Sequence, residues 1–285
     1  MLSRLPWTFW YGFAAMLAFV AAHIARHRRA VIDDNLRNSF PQASPEQLAR
    51  YRTGYYRNFA QVIVELIKSA SITEDELNRR VRFVNLEVVV AALQRGKPVL
   101  LGAAHQCNWE WMLLALSSQL GYPLDGAYKP LEDSYADRLM LSLRSRFGAR
   151  LVPAKSLLSD ILQKRKELRA IAMVADQEPK SAEFRHWTRF LNRDTAFYMG
   201  LEEIARATRY QVFFTAMRRV GKGYYEIEFQ PLTAVDERPE TGVLTDRYAR
   251  AVEAEIMAAP ADWTWSHKRW KLKKPMYGAV RPGGA

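Results

Sequence analysis

The sequence predicts an α/β fold, a mixed central sheet covered by helices, behind an N-terminal membrane helix. Three observations lead there. Short apolar, strand-like runs alternate with helical patterns from Arg80 to Ala175, and that alternation builds a parallel or mixed sheet with helices on its faces. Polar residues fall just after several of these runs, at the sheet edge where open α/β sheets bind ligands. Ahead of both, Leu5 to Ala25 carries no formally charged residue.

That first stretch is about 20 residues long, enough to cross roughly 30 Å of hydrocarbon. Trp7, Trp10 and Tyr11 cluster at one end like an interfacial aromatic belt, and Arg26, Arg28 and Arg29 follow the other, so the body of the protein is expected on the cytoplasmic side. A cleaved signal peptide is disfavoured because the positive charge comes after the apolar run. Residues 1–29 therefore read as a membrane anchor, with a buried or interfacial helix as the alternative to a spanning one, and residues 30–285 as a single domain.

Arg28 to Ile72 reads as two amphipathic helices broken at Phe40-Pro41, with Ser44 and Gln47 forming a capping box for the second. Glu65, inside VIVELI, is read as a helix-packing glutamate ahead of a site residue. Arg80 to Asn85 alternates like a strand, Leu86 to Gln94 is helical, and Arg95-Gly96-Lys97-Pro98 turns the chain into the central strand. Beyond it come strand Leu124 to Tyr128, a helix to about Phe147, strand Ala149 to Val152, helix Ala154 to Leu168 and strand Ala170 to Ala175. Phe190 to Arg209 is a polar turn leading into a helix; strands Gln211 to Arg218 and Gly223 to Phe229 flank a hairpin, and Thr241 to Ala258 is helical. The segment DWTWSHKRWKLKKP is either a solvated basic end or a membrane-interface or phosphate-contacting tail.

The stretch Pro98 to Trp111, PVLLGAAHQCNWEW, concentrates the chemistry: His105, Asn108 and Glu110 follow a buried strand and precede a helix. On one continuous helix His105 and Glu110 would be about 140° apart, so they must straddle a turn. With Asn108 as N-cap, Glu110 lies in the first helical turn and can reach back to hold one imidazole nitrogen, leaving the other free as a base. Tyr128 and Lys129, Asp176 and Gln177, and Arg146 arrive near neighbouring strand ends on the same sheet edge.

Composition narrows the partners. The 285 residues, 49% hydrophobic, are enough for a substantial core and exclude extensive disorder. A net charge of +12 favours an anionic partner. No recognition helix, zinc finger or RNP-type aromatic pattern is present, so nucleic acid is not expected. The single cysteine, Cys107, excludes an intramolecular disulfide. His186 and His267 form no metal-ligand spacing with it, and neither a metal nor a cofactor is expected.

These residues resemble the bacterial lipid A biosynthesis acyltransferases, the lauroyl/myristoyl acyltransferases, over nearly the whole chain. The family's His-x4-Asp/Glu motif, usually His-x-Gly-Asn-Trp-Glu, stands here as His105, Asn108, Trp109 and Glu110. Its Tyr-Arg/Lys-Pro element is similar to Tyr128-Lys129-Pro130, its downstream arginine to Arg146 with Arg144 as competitor, and its Asp-Gln pair to Asp176-Gln177. Its closing tryptophan-rich basic block resembles Trp263 to Lys271, and its Asn-Leu-x-x-x-Phe-Pro segment Asn35 to Pro41. Cys107 departs from the pattern, standing where the family usually has glycine; it is not expected to be a nucleophile.

The resemblance implies a glycerolipid-acyltransferase-like fold at the bacterial inner membrane, and transfer of a fatty acyl chain from an acyl carrier protein thioester to a hydroxyl of a lipid A precursor. His105 would be the base and Glu110 its orienter. Asn108, Lys129, Arg146, Asp176, Gln177 and Arg193 would bind or position substrate: Lys129 and Arg193 on acceptor phosphates, Asp176 on Arg146 or another basic group, and Arg146 or helix-start N–H groups on the oxyanion. Rival readings are the same transfer to a different lipid acceptor, thioester hydrolysis, and a non-enzymatic protein that binds anionic lipid.

Overall fold

The computed structural model describes residues 2–179 and 185–274; the end of the basic tail, at Pro275, lies outside them. Helix α1, Trp7–Phe19, runs on through a π-helical turn at Val20–Ile24. Trp10, Ala14 and Ala18 recur every fourth residue and are buried, whereas Phe9, Met16, Phe19, Val20 and Ile24 are exposed. Only 17% of the Trp7–Ile24 span is buried, so this apolar helix keeps most of its surface outside the core.

Helix α2, Arg29–Ser39, ends before Pro41, and α3, Pro45–Lys68, begins as the capping box requires. Gln47 N–H donates to Ser44 Oγ at 3.2 Å and Ser44 N–H to Gln47 Oε1 at 2.8 Å, so two otherwise orphaned donors are paired. The buried face of α1 packs along α3. At Gly54 an added Cβ would lie 2.8 Å from Ala261 Cβ, so the glycine lets α3 press against the turn that starts the C-terminal tail.

Helix α4, Glu74–Arg80, and strand β1, Val81–Phe83, follow. Helix α4 shows no apolar periodicity in the sequence, because Leu77 is its one buried apolar residue. Helix α5, Leu86–Gln94, leads to β2, Val99–Ala103, α6, Trp109–Gln119, β3, Leu124–Tyr128, and α7, Ser134–Arg144. Then come β4, Arg150–Pro153, α8, Leu157–Gln163, and β5, Ala170–Val174. Helix α8 stops well short of the expected Leu168. The chain instead wraps the buried guanidinium of Arg169, which donates to the Lys164 and Glu167 carbonyls and to Asp125.

Strands β6, Arg185–Phe190, and β7, Arg193–Tyr198, form a hairpin where only a turn was expected. Its turn residues Leu191 and Asn192 both take positive φ; Asn tolerates that region, but the charges on both strands hid the alternation. Helix α9, Gly200–Thr208, strands β8, Gln211–Gly221, and β9, Tyr224–Pro231, and helix α10, Val243–Ala258, complete the elements.

The seven-stranded sheet has the order β1-β9-β8-β2-β5-β3-β4. The strands from β8 to β4 are mutually parallel, while β9 runs antiparallel to β8 and carries β1 parallel to itself. This is the mixed sheet expected from the alternation. One face packs on α5 and α6, the other on α8, α9 and α10. Strand β2 is central and fully buried, so the loop after it opens at the middle of the carboxyl edge.

Glu65 joins the helices to that edge. It is fully buried and accepts from Asn108 Nδ2 at 2.8 Å, Tyr225 Oη at 2.6 Å and Tyr11 Oη at 3.2 Å. Burial raises its carboxyl above the usual range, opposed by Arg219 and by those hydrogen bonds. Glu65→Leu would orphan the buried donors of Asn108 and Tyr225 at about 1–3 kcal/mol each. Denaturant unfolding is therefore expected to show a loss of about 2–6 kcal/mol, and a smaller loss for Glu65→Gln, which keeps an acceptor; an unchanged midpoint for the leucine variant would count against the network.

Candidate active site

The loop after β2 is built to present His105. Asn108 is the N-cap of α6, its Oδ1 accepting from Trp111 N–H at 3.0 Å, and Glu110 falls in the first helical turn as the spacing demanded. Cys107 has φ +52°, the left-handed conformation that glycine adopts at no cost and other residues rarely enter. Its thiol is buried, donates to the Met217 carbonyl at 3.2 Å, and is pushed well above its ordinary value by burial. A thiol so held is a poor source of thiolate.

Asp176, beyond β5, rather than Glu110, holds the imidazole. His105 Nδ1 lies 2.6 Å from Asp176 Oδ1, and the His105 backbone N–H donates to Oδ2 at 3.1 Å. Trp263 Nε1 donates to the same Oδ2 at 2.7 Å. Asp176 is 1% exposed; burial would raise its carboxyl, but His105 and these hydrogen bonds outweigh it and hold it below the usual carboxylate range. An ionised Asp176 makes Nδ1 the donor and leaves a lone pair on Nε2. Gln177 Nε2 sits 3.2 Å from that nitrogen and occupies its acceptor position.

Glu110 is engaged elsewhere. Arg144, at the end of α7, grips it with two bonds, Nε to Oε2 at 2.8 Å and Nη2 to Oε1 at 2.7 Å, and Trp109 Nε1 adds a third at 3.1 Å. Arg144, the competitor in the sequence reading, is thus the arginine at the site. Burial lowers the affinity of the Arg144 guanidinium for its proton, but Glu110 more than restores it. Arg146 instead donates to the Ser69 carbonyl and does not line the cavity described below. Asp176, expected to position Arg146 or another basic group, pairs with the His105 imidazole.

The remaining expected residues divide. Lys129 and Gln177 line the cavity with His105 and Glu110. Asn108 is fully buried and acts through its cap and its bond to Glu65. Arg193 donates to the Asp34 carbonyl at 2.9 Å and stacks over Trp270, away from the cavity. The tail is not solvated throughout: Trp263, Trp265 and Arg269 are buried, while Lys268, Lys271, Lys273 and Lys274 are exposed. Arg269 Nε donates to the Asp176 carbonyl at 2.7 Å and Nη2 to the Ala196 carbonyl at 2.7 Å, and burial lowers its guanidinium to about 10 despite Asp176. Thr264 Oγ1 donates to the His105 carbonyl at 2.8 Å. Sequence alone signalled these contacts only as a tryptophan-rich block, since nothing in the spacing tells which partner a buried tryptophan meets.

In front of His105 lies a cavity of about 590 Å³. His105, Glu110, Lys129, Arg144, Lys155, Gln177 and Glu203 are among its polar lining, and Met112, Leu113, Leu116, Leu151, Leu157 and Ile204 among its apolar lining. An imidazole on the wall of a largely apolar cavity suits a substrate with a reactive head and a long hydrocarbon chain. Among the described residues no cluster of histidine, cysteine, aspartate or glutamate could hold a metal ion.

The model of the bacterial lipid A biosynthesis acyltransferase family matches residues 1–272. A lipid A biosynthesis acyltransferase of Haemophilus influenzae is 24% identical over 290 aligned positions, covering 94% of this chain and 89% of that one.

Asp176→Asn would keep the shape but lose the charge that selects the tautomer, so turnover is expected to fall about 10²–10⁴-fold, approaching the His105→Ala variant. Steady-state rates with equal thermal midpoints would check this, and a fall under tenfold would argue against Asp176 as orienter. Cys107→Gly relieves a left-handed residue, and its turnover is expected to stay within about threefold of wild type; inactivation would return the thiol to the chemistry.

Proposed function

The chain belongs to the bacterial lipid A biosynthesis acyltransferase family, and we propose that it moves a fatty acyl chain from an acyl carrier protein thioester to a hydroxyl of a lipid A precursor. The observation that carries the reading is the His105–Asp176 pair, with His105 on the wall of the largely apolar cavity. The acceptor hydroxyl replaces Gln177 at His105 Nε2 and gives up its proton there as its oxygen attacks the thioester carbonyl. Asp176 stabilises the imidazolium that forms. The tetrahedral intermediate collapses with loss of the C–S bond, and the imidazolium returns the proton to the leaving thiolate. Arg144, fixed by Glu110, is the cation at the cavity wall suited to meet the oxyanion. Glu110 then acts through Arg144, not through the imidazole.

The same reading sets the protein at the bacterial inner membrane with its catalytic body on the cytoplasmic face. Residues 1–29 serve as the membrane-contacting unit and residues 30–285 as the catalytic one. Its support is the apolar, mostly unburied α1 and the arginines that follow it. The net charge of +12 suits both an acidic carrier protein and phosphorylated lipid.

Mass spectrometry of lipid A and phospholipids from a deletion strain, complemented with wild type or His105→Ala, tests the acceptor and the base together. A lipid A species lacking one acyl chain, restored only by wild type, is expected. Unchanged lipid A with another lipid under-acylated would discard the acceptor assignment.

A further inference from the structure

The cavity enters the protein where two neighbouring strands separate. β3 and β5 pair at Leu124 with Ala170, Asp125 with Ile171 and Gly126 with Ala172, and no further. Each runs on for two residues while pairing with its other neighbour, β3 with β4 as far as Tyr128 and Pro153, β5 with β2 as far as Val174 and Ala103. A slot therefore opens between β3 and β5 at the carboxyl edge. The cavity lining follows it: Ala172 belongs to the core layer under α6, Ala127 and Met173 to the opposite layer, and all three border the cavity. Side chains alternate across a sheet, so one cavity touching both sets reaches through the slot.

Gly126 stands at the foot of this slot. Its partner Ala172 pairs with Leu101 of β2, two residues before that strand ends at Ala103 and four before His105, which sets the foot at most about 13 Å below His105 at the usual rise per strand residue. Gly126 is not among the glycines with positive φ, so its backbone would accept any side chain. The space is tight. An added Cβ lies 3.2 Å from Leu113 Cδ1 and 3.2 Å from Leu151 Cδ1, and both leucines line the cavity.

We propose that the split between β3 and β5 receives the donor's hydrocarbon chain and that Gly126, with Leu113 and Leu151 around it, sets the longest chain accepted. The inference rests on the acyl-transfer reading above and adds its specificity determinant. A side chain at Gly126 raises the floor, and each methylene denied burial costs about fourfold in kcat/KM. Shortening Leu113 lowers the floor and relaxes the limit.

The test is the ratio of kcat/KM for long over short donors, measured with the full chain in detergent on a graded series of saturated acyl carrier protein thioesters. Gly126→Ala and Gly126→Val are expected to move the optimum to shorter chains, the valine variant further, and Leu113→Ala to longer ones. An unaltered donor order in Gly126→Val overturns the assignment, as does a uniform loss across all donors. Should Gly126→Val fail to fold, an unaltered order in Leu113→Ala overturns it equally. Failure of wild type to transfer any chain in the series would sink the acyl-transfer reading itself and this inference with it.

Discussion

One buried carboxylate organises the site. Asp176 collects the imidazole of His105, the His105 backbone N–H and the indole of Trp263, and its own carbonyl is held by Arg269. Four separate pieces of chain, the ends of β2 and β5 and two positions of the tail, thereby meet on one residue. A carboxylate taken out of water is costly unless its lone pairs are filled. Here donors fill them, and the depressed proton affinity of Asp176 follows. The imidazole has little freedom left, so it is oriented before any substrate arrives, with Gln177 at its Nε2.

A second carboxylate does the same for the helix that follows. Glu65 lies on α3 and holds Asn108, which caps α6, so the first turn of α6 is set from outside the sheet. Glu110 on that turn then fixes Arg144 at the cavity wall. Tyr11 of α1 reaches the same Glu65, and the Trp7 ring packs edge-on against Trp111 of α6. The apolar N-terminal helix is consequently packed into the scaffold of the site along one face. It does not hang from the domain as a bare tether, and its outward face of Phe9, Met16, Phe19, Val20 and Ile24 is left for an apolar environment.

The cavity at the edge of the sheet is lined by both hydrocarbon and charge. Aliphatic side chains make up much of its wall, and His105, Glu110, Lys129, Arg144, Lys155, Gln177 and Glu203 border it as well. Such a lining gives an amphiphile an alignment: its hydrocarbon leaves water against the aliphatic wall, and its polar head finds ions and hydrogen bonds. The proposed transfer exploits that alignment, because a chain seated in the slot brings its carbonyl to the base without further steering.

Local pattern carried much of this to the surface of the sequence. The strand from Leu124 to Tyr128, the helix from Leu86 to Gln94, the Ser44 capping box and the place of Glu110 in the first turn of α6 all depend on residues within a few positions of one another. Family motifs brought His105, Glu110, Asp176 and the Trp263 to Lys271 block into one list. What sequence alone could not determine was pairing. Sequence alone puts Glu110 on the imidazole, Asp176 on Arg146 or another basic group, Glu65 in helix packing and Arg146 ahead of Arg144. The fold gave Asp176 to His105, Glu110 to Arg144, Glu65 to Asn108 and Arg146 to a backbone carbonyl. Helix α4 and the β6–β7 hairpin were missed because charged side chains masked their periodicity. The physical reason is common to all of these: hydrophobic period and caps are short-range properties of the chain, whereas the partner of a buried charge is decided by which strand ends and helix faces the sheet order brings within about 3 Å of it.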